Sequence, residues 1–357
     1  MKKLDLENYI CAFPFTSLEI HQGSRFLCCA SWLKKYLPHD TNPKEAWESE
    51  EANEIRKSVT DGTFKYCDKS HCPYLHQLIK FGKIGNTNVL HHKNKIPIDI
   101  KEKIDSFQEG KLFTPNTIQF SFDRTCNLKC PSCRLEVITE SSKGIERVKK
   151  TIDEIEKQYG ETTKKIYITG TGDPFVSVGF RDFLRNFDST KWPSLEKIHL
   201  HTNATKWNKK MWDSMSNIHK YVKSCEISID AATKETYENK VRLGGNWDEL
   251  MDNLKFINTI PSLKGIKTSF VVQQKNYKEM KLFYDLMISI FGKKVNVYYG
   301  KIINWGTFTD NEYIGHKIWE DIHPEYDEFI REVNLFLPKE QSWHNLQEFI
   351  IDKSKLI

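Results

Sequence analysis

The chain has 357 residues, enough for one large α/β domain and a smaller one. Its 53 basic residues stand against 48 acidic ones for a net charge of +5, and its Lys-rich stretches alternate with Glu and Asp, so they read as solvated helix faces and no nucleic-acid partner is expected. A hydrophobic fraction of 39% with 21 Phe excludes general disorder, no apolar run is long enough to span a bilayer, and the N-terminus lacks a signal-peptide core, so the expected location is cytoplasmic with no membrane partner.

In that reducing compartment nine cysteines point to metal rather than to a disulfide framework. Residues 1–80 hold five of them: Cys11, Cys28, Cys29, Cys67 and Cys72. Leu18 and Ile20, then Phe26, predict a short hairpin turning at His21-Gln22-Gly23. A helix is expected from about Pro43 to Val59, bearing Ala46, Trp47 and Ile55. Residues 81–115 read as a connector, with Gly82, Gly85, the His91-His92 pair, Pro97 and Pro115.

From 116 to 302 strand and helix patterns alternate. Ile118, Phe120 and Phe122 alternate with polar residues, a period-two strand signal. Short strands follow at 166–168, 198–200, 227–229, 268–272 and 295–299. Between them, Ile145, Val148, Ile152, Ile155 and Tyr159 share a helix face, as do Trp247, Leu250, Met251, Leu254 and Ile257 behind an Asn246 cap. Asn276 and Glu279 repeat that start before Tyr277, Met280 and Phe283. Six such strands imply right-handed crossovers and a parallel sheet, and a partial barrel of six β-α units fits the count. The strands end in Asp123, Thr169, Thr202-Asn203, Asp230 and Gln273, where barrel-type folds place their active sites. Cys225 opens a strand and reads as a core residue. Asn304-Trp305-Gly306 reads either as a substrate-facing loop or as a turn with a packed indole. Residues 303–357 form a C-terminal helical extension broken at Pro324 and Pro338.

Cys126-Asn127-Leu128-Lys129-Cys130-Pro131-Ser132-Cys133, a C-x3-C-x2-C loop, directly follows the first strand of this region. Three thiolates can hold three irons of a cubane that normally takes four, which leaves one iron open to a ligand. A zinc site prefers paired C-x2-C units. The loop resembles the signature of the radical S-adenosylmethionine (SAM) superfamily, with Ser132 where an aromatic residue is frequent. The resemblance implies a 4Fe–4S cluster on Cys126, Cys130 and Cys133 whose open iron chelates SAM; reduction cleaves SAM to a 5′-deoxyadenosyl radical that abstracts hydrogen. It also implies SAM contacts at later strand ends. Thr171-Gly172-Asp173-Pro174 is similar to a Gly-Gly-Glu-Pro motif for the SAM amino group, with Thr and Asp as departures. Asn203 follows the family's Thr-Asn pair, Ser228 and Asp230 its Ser-x-Asp pattern near the ribose, and Arg242 an Arg that pairs with the SAM carboxylate.

The N-terminal module, from about 10 to 75, resembles the auxiliary-cluster domains of the same superfamily, the SPASM domain and its shorter twitch form, which usually follow the barrel. The resemblance implies one auxiliary 4Fe–4S cluster on Cys11, Cys28, Cys67 and Cys72, with Cys29 as a doubtful fifth thiol; a structural zinc could use the same four. His71 reads as structural or solvated. The expected fold class is therefore α/β, a partial (β/α)6 TIM-type barrel at 116–302 with a small N-terminal cysteine-rich metal-cluster domain at 1–80. The expected function is a SAM-cleaving oxidoreductase or transferase with two 4Fe–4S clusters, served by a flavodoxin- or ferredoxin-type electron donor and acting on a small-molecule or peptide substrate, in the range of peptides, sugars and nucleotide-like molecules. The rival is a non-catalytic zinc or iron–sulfur protein with a partner-binding surface, which would have no need of Thr171–Pro174 or Arg242.

Overall fold

The computed structural model describes residues 6–82, 89–336 and 349. The chain forms two compact units, one of residues 1–123, 146–170 and 188–197, the other of residues 124–145, 171–187 and 198–357.

In the first unit, β1 (Tyr9–Cys11) and β4 (Leu90–His92) pair antiparallel, with Cys11 opposite Leu90. β2 (Ser17–His21) and β3 (Arg25–Phe26) form the expected hairpin. Its turn needs Gly23, whose φ of 73° lies in the left-handed region. β2 also pairs in parallel with β5 (Thr117–Ser121), Ser17 opposite Thr117 and His21 opposite Ser121, and β5 pairs in parallel with β6 (Lys165–Ile168). The hairpin is thus part of a parallel ladder. The helix expected from Pro43 to Val59 is two helices, Pro43–Glu48 and Glu50–Thr60. Ser49 ends the first with an extended backbone and caps the second by accepting from the Ala52 N–H. Gly82 ends the helix Pro73–Phe81 in the left-handed conformation. Gly85 lies outside the described residues. Residues read as connector contain a further helix, Ile98–Gln108, which buries Ile100 and Ile104.

In the second unit, β7 (Lys197–Thr202), β8 (Val222–Ser228), β9 (Gly265–Val272) and β10 (Val295–Lys301) are parallel in that order. Together with β5 and β6 these are the six expected strands, so the fold is α/β with mostly parallel pairing. One face of the four strands is apolar and buried: Leu200, Cys225, Ile227, Phe270 and Val297 are each no more than 1% exposed. The opposite face carries His199, His201, Glu226, Ser228, Lys267 and Ser269. Asn246 caps the helix Trp247–Asn258 as expected, accepting from the Glu249 N–H. Asn276 makes no cap. Its side chain instead donates to the Asp230 and Val271 carbonyls and accepts from the Gln273 N–H, which ties the ends of β8 and β9 together. Pro324 falls between the helices Asp310–His316 and Tyr326–Phe336, while Pro338 lies outside the described residues. Among the described residues no helix is long and apolar enough to cross a membrane.

Candidate active site

The cysteine loop belongs to the second unit. Its backbone is held by Cys126 N–H to the Ile138 carbonyl at 2.9 Å, Cys133 N–H to the Cys130 carbonyl at 2.8 Å and Lys129 N–H to the Leu243 carbonyl at 3.0 Å. Cys126 and Cys130 are buried and Cys133 is exposed. Burial pushes the Cys126 thiol up to about 11, with the Asp173 charge adding to it, and burial likewise raises Cys130 against the pull of Arg242. Among the described residues no three or more Cys, His, Asp or Glu side chains close tightly enough around one point to hold a single metal ion.

Thr171–Pro174 is knitted to this loop. Asp173 N–H donates to the Thr125 carbonyl at 2.8 Å. Its carboxylate accepts from the Thr202 hydroxyl at 2.7 Å, the Asn203 N–H at 2.8 Å and the Phe175 N–H at 3.0 Å. Burial raises Asp173, and these three donors oppose it. Asn203 Nδ2 donates to Cys126 Sγ at 3.5 Å and to Asn127 Oδ1 at 3.1 Å.

Arg242 lies at the end of a π-helical turn, Tyr237–Val241, with its N–H on the Tyr237 carbonyl. The following turn needs glycine: Gly244 has φ 89°, and a Cβ on Gly245 would lie 2.5 Å from the Tyr237 ring. The Arg242 guanidinium pairs with Asp230 at 2.7 Å and donates to Cys130 Sγ at 3.6 Å. Its Nε is buried without a hydrogen-bond partner among the described residues. Asp230 also accepts from the Val271 N–H at 2.7 Å. Ser228 is joined to His201 at 3.0 Å and to Ser269 at 3.3 Å, not to the cysteine loop.

Sequence reading did not single out Arg134, Asn127 or His201. Arg134 donates to Cys133 Sγ at 3.4 Å, the Thr171 carbonyl at 2.7 Å and the Arg124 carbonyl at 2.8 Å. The available signal was a cation placed directly after the third cysteine. The donor set fits a thiolate-bound cluster, since each of the three sulfurs has an N–H donor and two of those donors are cationic.

In the first unit, burial pushes the Cys28 thiol well up, and Cys11, Cys67, Cys29 and Cys72 all act on it in the same direction. Burial raises Cys67 to about 12, with Cys72 adding to it, and raises Cys11 with Cys67 and Cys72 beside it. Cys29 Sγ is 3.2 Å from the Ser31 hydroxyl. His71 is largely exposed and sits 3.1 Å from Asp68, and Cys225 is buried, as read. At 304–306 the structure forms a turn, with Asn304 Oδ1 accepting from the Gly306 and Phe308 N–H groups, and the Trp305 indole is 63% exposed rather than packed.

Residues 120–286 match the family model of the radical SAM superfamily. Among solved structures, the chain is similar to Streptococcus suis SuiB bound to S-adenosylmethionine, at 17% identity over 62% of this chain and 53% of that one, with a TM-score of 0.40. It is similar to the anSMEcpe structure with bound AdoMet at 15% identity, over 62% of this chain and 59% of that one, with a TM-score of 0.40. It is also similar to the FeFe-hydrogenase maturase HydG from Carboxydothermus hydrogenoformans at 10% identity, over 65% and 55%, with a TM-score of 0.38. The chain spans between about half and two thirds of the length of the first such structures. No curated protein matches it. Residues 120–286, with their three cysteines and the strand-end loops bonded to them, are therefore a radical SAM superfamily domain, and that superfamily implies a 4Fe–4S cluster and S-adenosylmethionine.

Proposed function

We propose that the protein reductively cleaves SAM at a 4Fe–4S cluster held by Cys126, Cys130 and Cys133, and uses the resulting radical to abstract hydrogen from a small-molecule or peptide substrate. The observation that carries this reading is the convergence of segments far apart in sequence. Thr125–Cys133, Asp173, Thr202-Asn203 and Arg242-Leu243 are hydrogen-bonded to one another in one unit. Bound there, the cluster supplies the electron that breaks SAM. The chain's own part is to hold the three thiolates, to fix the Thr171–Pro174 and Arg242 loops against them, and to present Thr171, Gly172, Asp173, Pro174, Asn203, Ser228, Asp230 and Arg242 toward SAM. Asp173 and Asp230 also hold internal partners and so help to set the loops, and Arg242 offers SAM its Nε.

Residues 1–80 belong to the same reading as an auxiliary-cluster module on Cys11, Cys28, Cys67 and Cys72. Cys11, Cys67 and Cys72 all act on Cys28 in one direction, which supports that set, and the contact between Cys29 and Ser31 favours Cys28 over Cys29. An auxiliary cluster would take an electron from a substrate radical, giving dehydrogenation or cross-linking, or would bind substrate, leaving epimerisation or rearrangement. The reductant would be a flavodoxin- or ferredoxin-type protein.

Iron, sulfide and zinc should be counted after anaerobic reconstitution of the wild type and of a Cys67→Ala/Cys72→Ala variant. About eight irons falling to about four, with the SAM-responsive signal retained, is the expected result. About four irons and one zinc in the wild type would replace the auxiliary cluster by a zinc site.

A further inference from the structure

Each thiol of the cysteine loop has its own nitrogen donor, and the three donors come from separate parts of the chain: Asn203 on Cys126 at 3.5 Å, Arg242 on Cys130 at 3.6 Å and Arg134 on Cys133 at 3.4 Å. None of them is a loose surface contact. Asn203 Oδ1 accepts from the Thr205 N–H and hydroxyl at 2.9 and 2.6 Å. Arg242 is held by Asp230 at 2.7 Å. Arg134 is buried and held by the Arg124 and Thr171 carbonyls at 2.8 and 2.7 Å.

The two guanidiniums differ in one respect. Arg242 has a carboxylate partner, whereas among the described residues no carboxylate pairs with Arg134. A buried cation without a counter-charge is costly. The ionisable groups that act on it are the thiols Cys133, Cys126 and Cys130, which become anionic only as thiolates. A cluster bound by three thiolates would provide the missing negative charge, and reduction would increase it.

We infer that Arg134, with Asn203 and Arg242, forms a set of positioning residues that raises the reduction potential of the cluster, Arg134 acting as its dedicated counter-charge. The inference rests on the radical SAM reading above. Reduction takes one electron from an external reductant, dithionite in the test below, and makes or breaks no bond. It leaves one more negative charge beside two guanidiniums and an amide. N–H donors at cluster sulfurs and the local net charge are established levers on such potentials. Through the Thr171 carbonyl, Arg134 also binds the cysteine loop to the Thr171–Pro174 loop, so cluster charge and loop position share one side chain.

The test is a dithionite titration, followed by electron paramagnetic resonance, of the reconstituted full chain. The signal monitored is the one lost when Cys126, Cys130 and Cys133 are replaced together. Arg134→Gln, at unchanged iron content, should make reduction at least tenfold less favourable, a shift of about −59 mV for one electron. Arg134→Lys, which keeps the charge, should fall between it and the wild type. A wild-type potential in Arg134→Gln overturns the inference. Should that variant not load a cluster, the neutral Asn203→Leu, which removes the donor without adding charge, decides at a second thiolate: a negative shift supports the inference and an unchanged potential overturns it. A wild type that takes up no cluster at the three cysteines contradicts the radical SAM reading itself, and this inference with it.

Discussion

Both terminal nitrogens of Arg242 are used inside the protein, one on Asp230 and one on Cys130. Removing the side chain would leave a buried carboxylate alone, and breaking a buried pair in this way typically costs about 3–5 kcal/mol. Arg242→Ala should therefore lower the unfolding free energy by that amount, read as a lower midpoint in denaturant, and Lys should recover only part, because an ammonium cannot reach both partners with a planar fork. An Ala variant that unfolds at the wild-type midpoint would show that the pair does not hold this turn. At this scale the sequence was informative about which residues matter and silent about what they touch. Cys126, Asp173, Asn203, Asp230 and Arg242 stood out by resemblance to family motifs, yet Asn203 meets Asn127 and Arg242 meets Cys130 across separations of 76 and 112 residues, which no local pattern encodes. Arg134 escaped notice because a basic residue in a loop is usually solvated, and its burial comes only from the fold.

The strands β7 to β10 were legible because each alternates apolar and polar residues, which fixes their length and the face that packs against helices. The parallel partner of β2 was not legible, since it is set by a strand about one hundred residues later, where Gln119 donates to Glu19 at 2.9 Å. Asn276 was misread as a cap because the local pattern is the same as at Asn246, while its amide is taken by Asp230 and Val271. The polar face of β7 to β9 has its own energetics. Burial pushes Glu226 up, but His201, Lys267 and His199 overcome this and hold it at about 2, with Lys267 at 3.1 Å. A carboxylate held below its unfolded value, here 4.5, contributes stability above that value and loses it as pH falls through the folded one. The wild type should lose this contribution between about pH 4.5 and 2. Lys267→Met should move the loss to higher pH and cost about 1–3 kcal/mol near neutrality, the scale of a charge-assisted hydrogen bond. Matching acid transitions in the two proteins would show that Lys267 does not hold Glu226 down.

At the scale of the whole molecule, residues 120–286 carry the family match, and both the cysteine loop and all the strand-end residues read as SAM contacts lie within it. That match favours the catalytic reading over the non-catalytic metal protein. The N-terminal cysteines lie outside it; burial raises the thiols of Cys11, Cys28 and Cys67, and neighbouring thiols act on each in the same direction. A metal at these cysteines and the identity of a substrate are not written in local patterning, because ligand identity depends on geometry that forms only when distant segments meet. The central claim, SAM cleavage at Cys126, Cys130 and Cys133, is tested most directly by measuring 5′-deoxyadenosine after anaerobic incubation of the reconstituted full chain with SAM and dithionite. The wild type should release 5′-deoxyadenosine and methionine, and the variant with all three cysteines replaced by Ala should release none while keeping its N-terminal metal; equal release from both proteins would contradict the account.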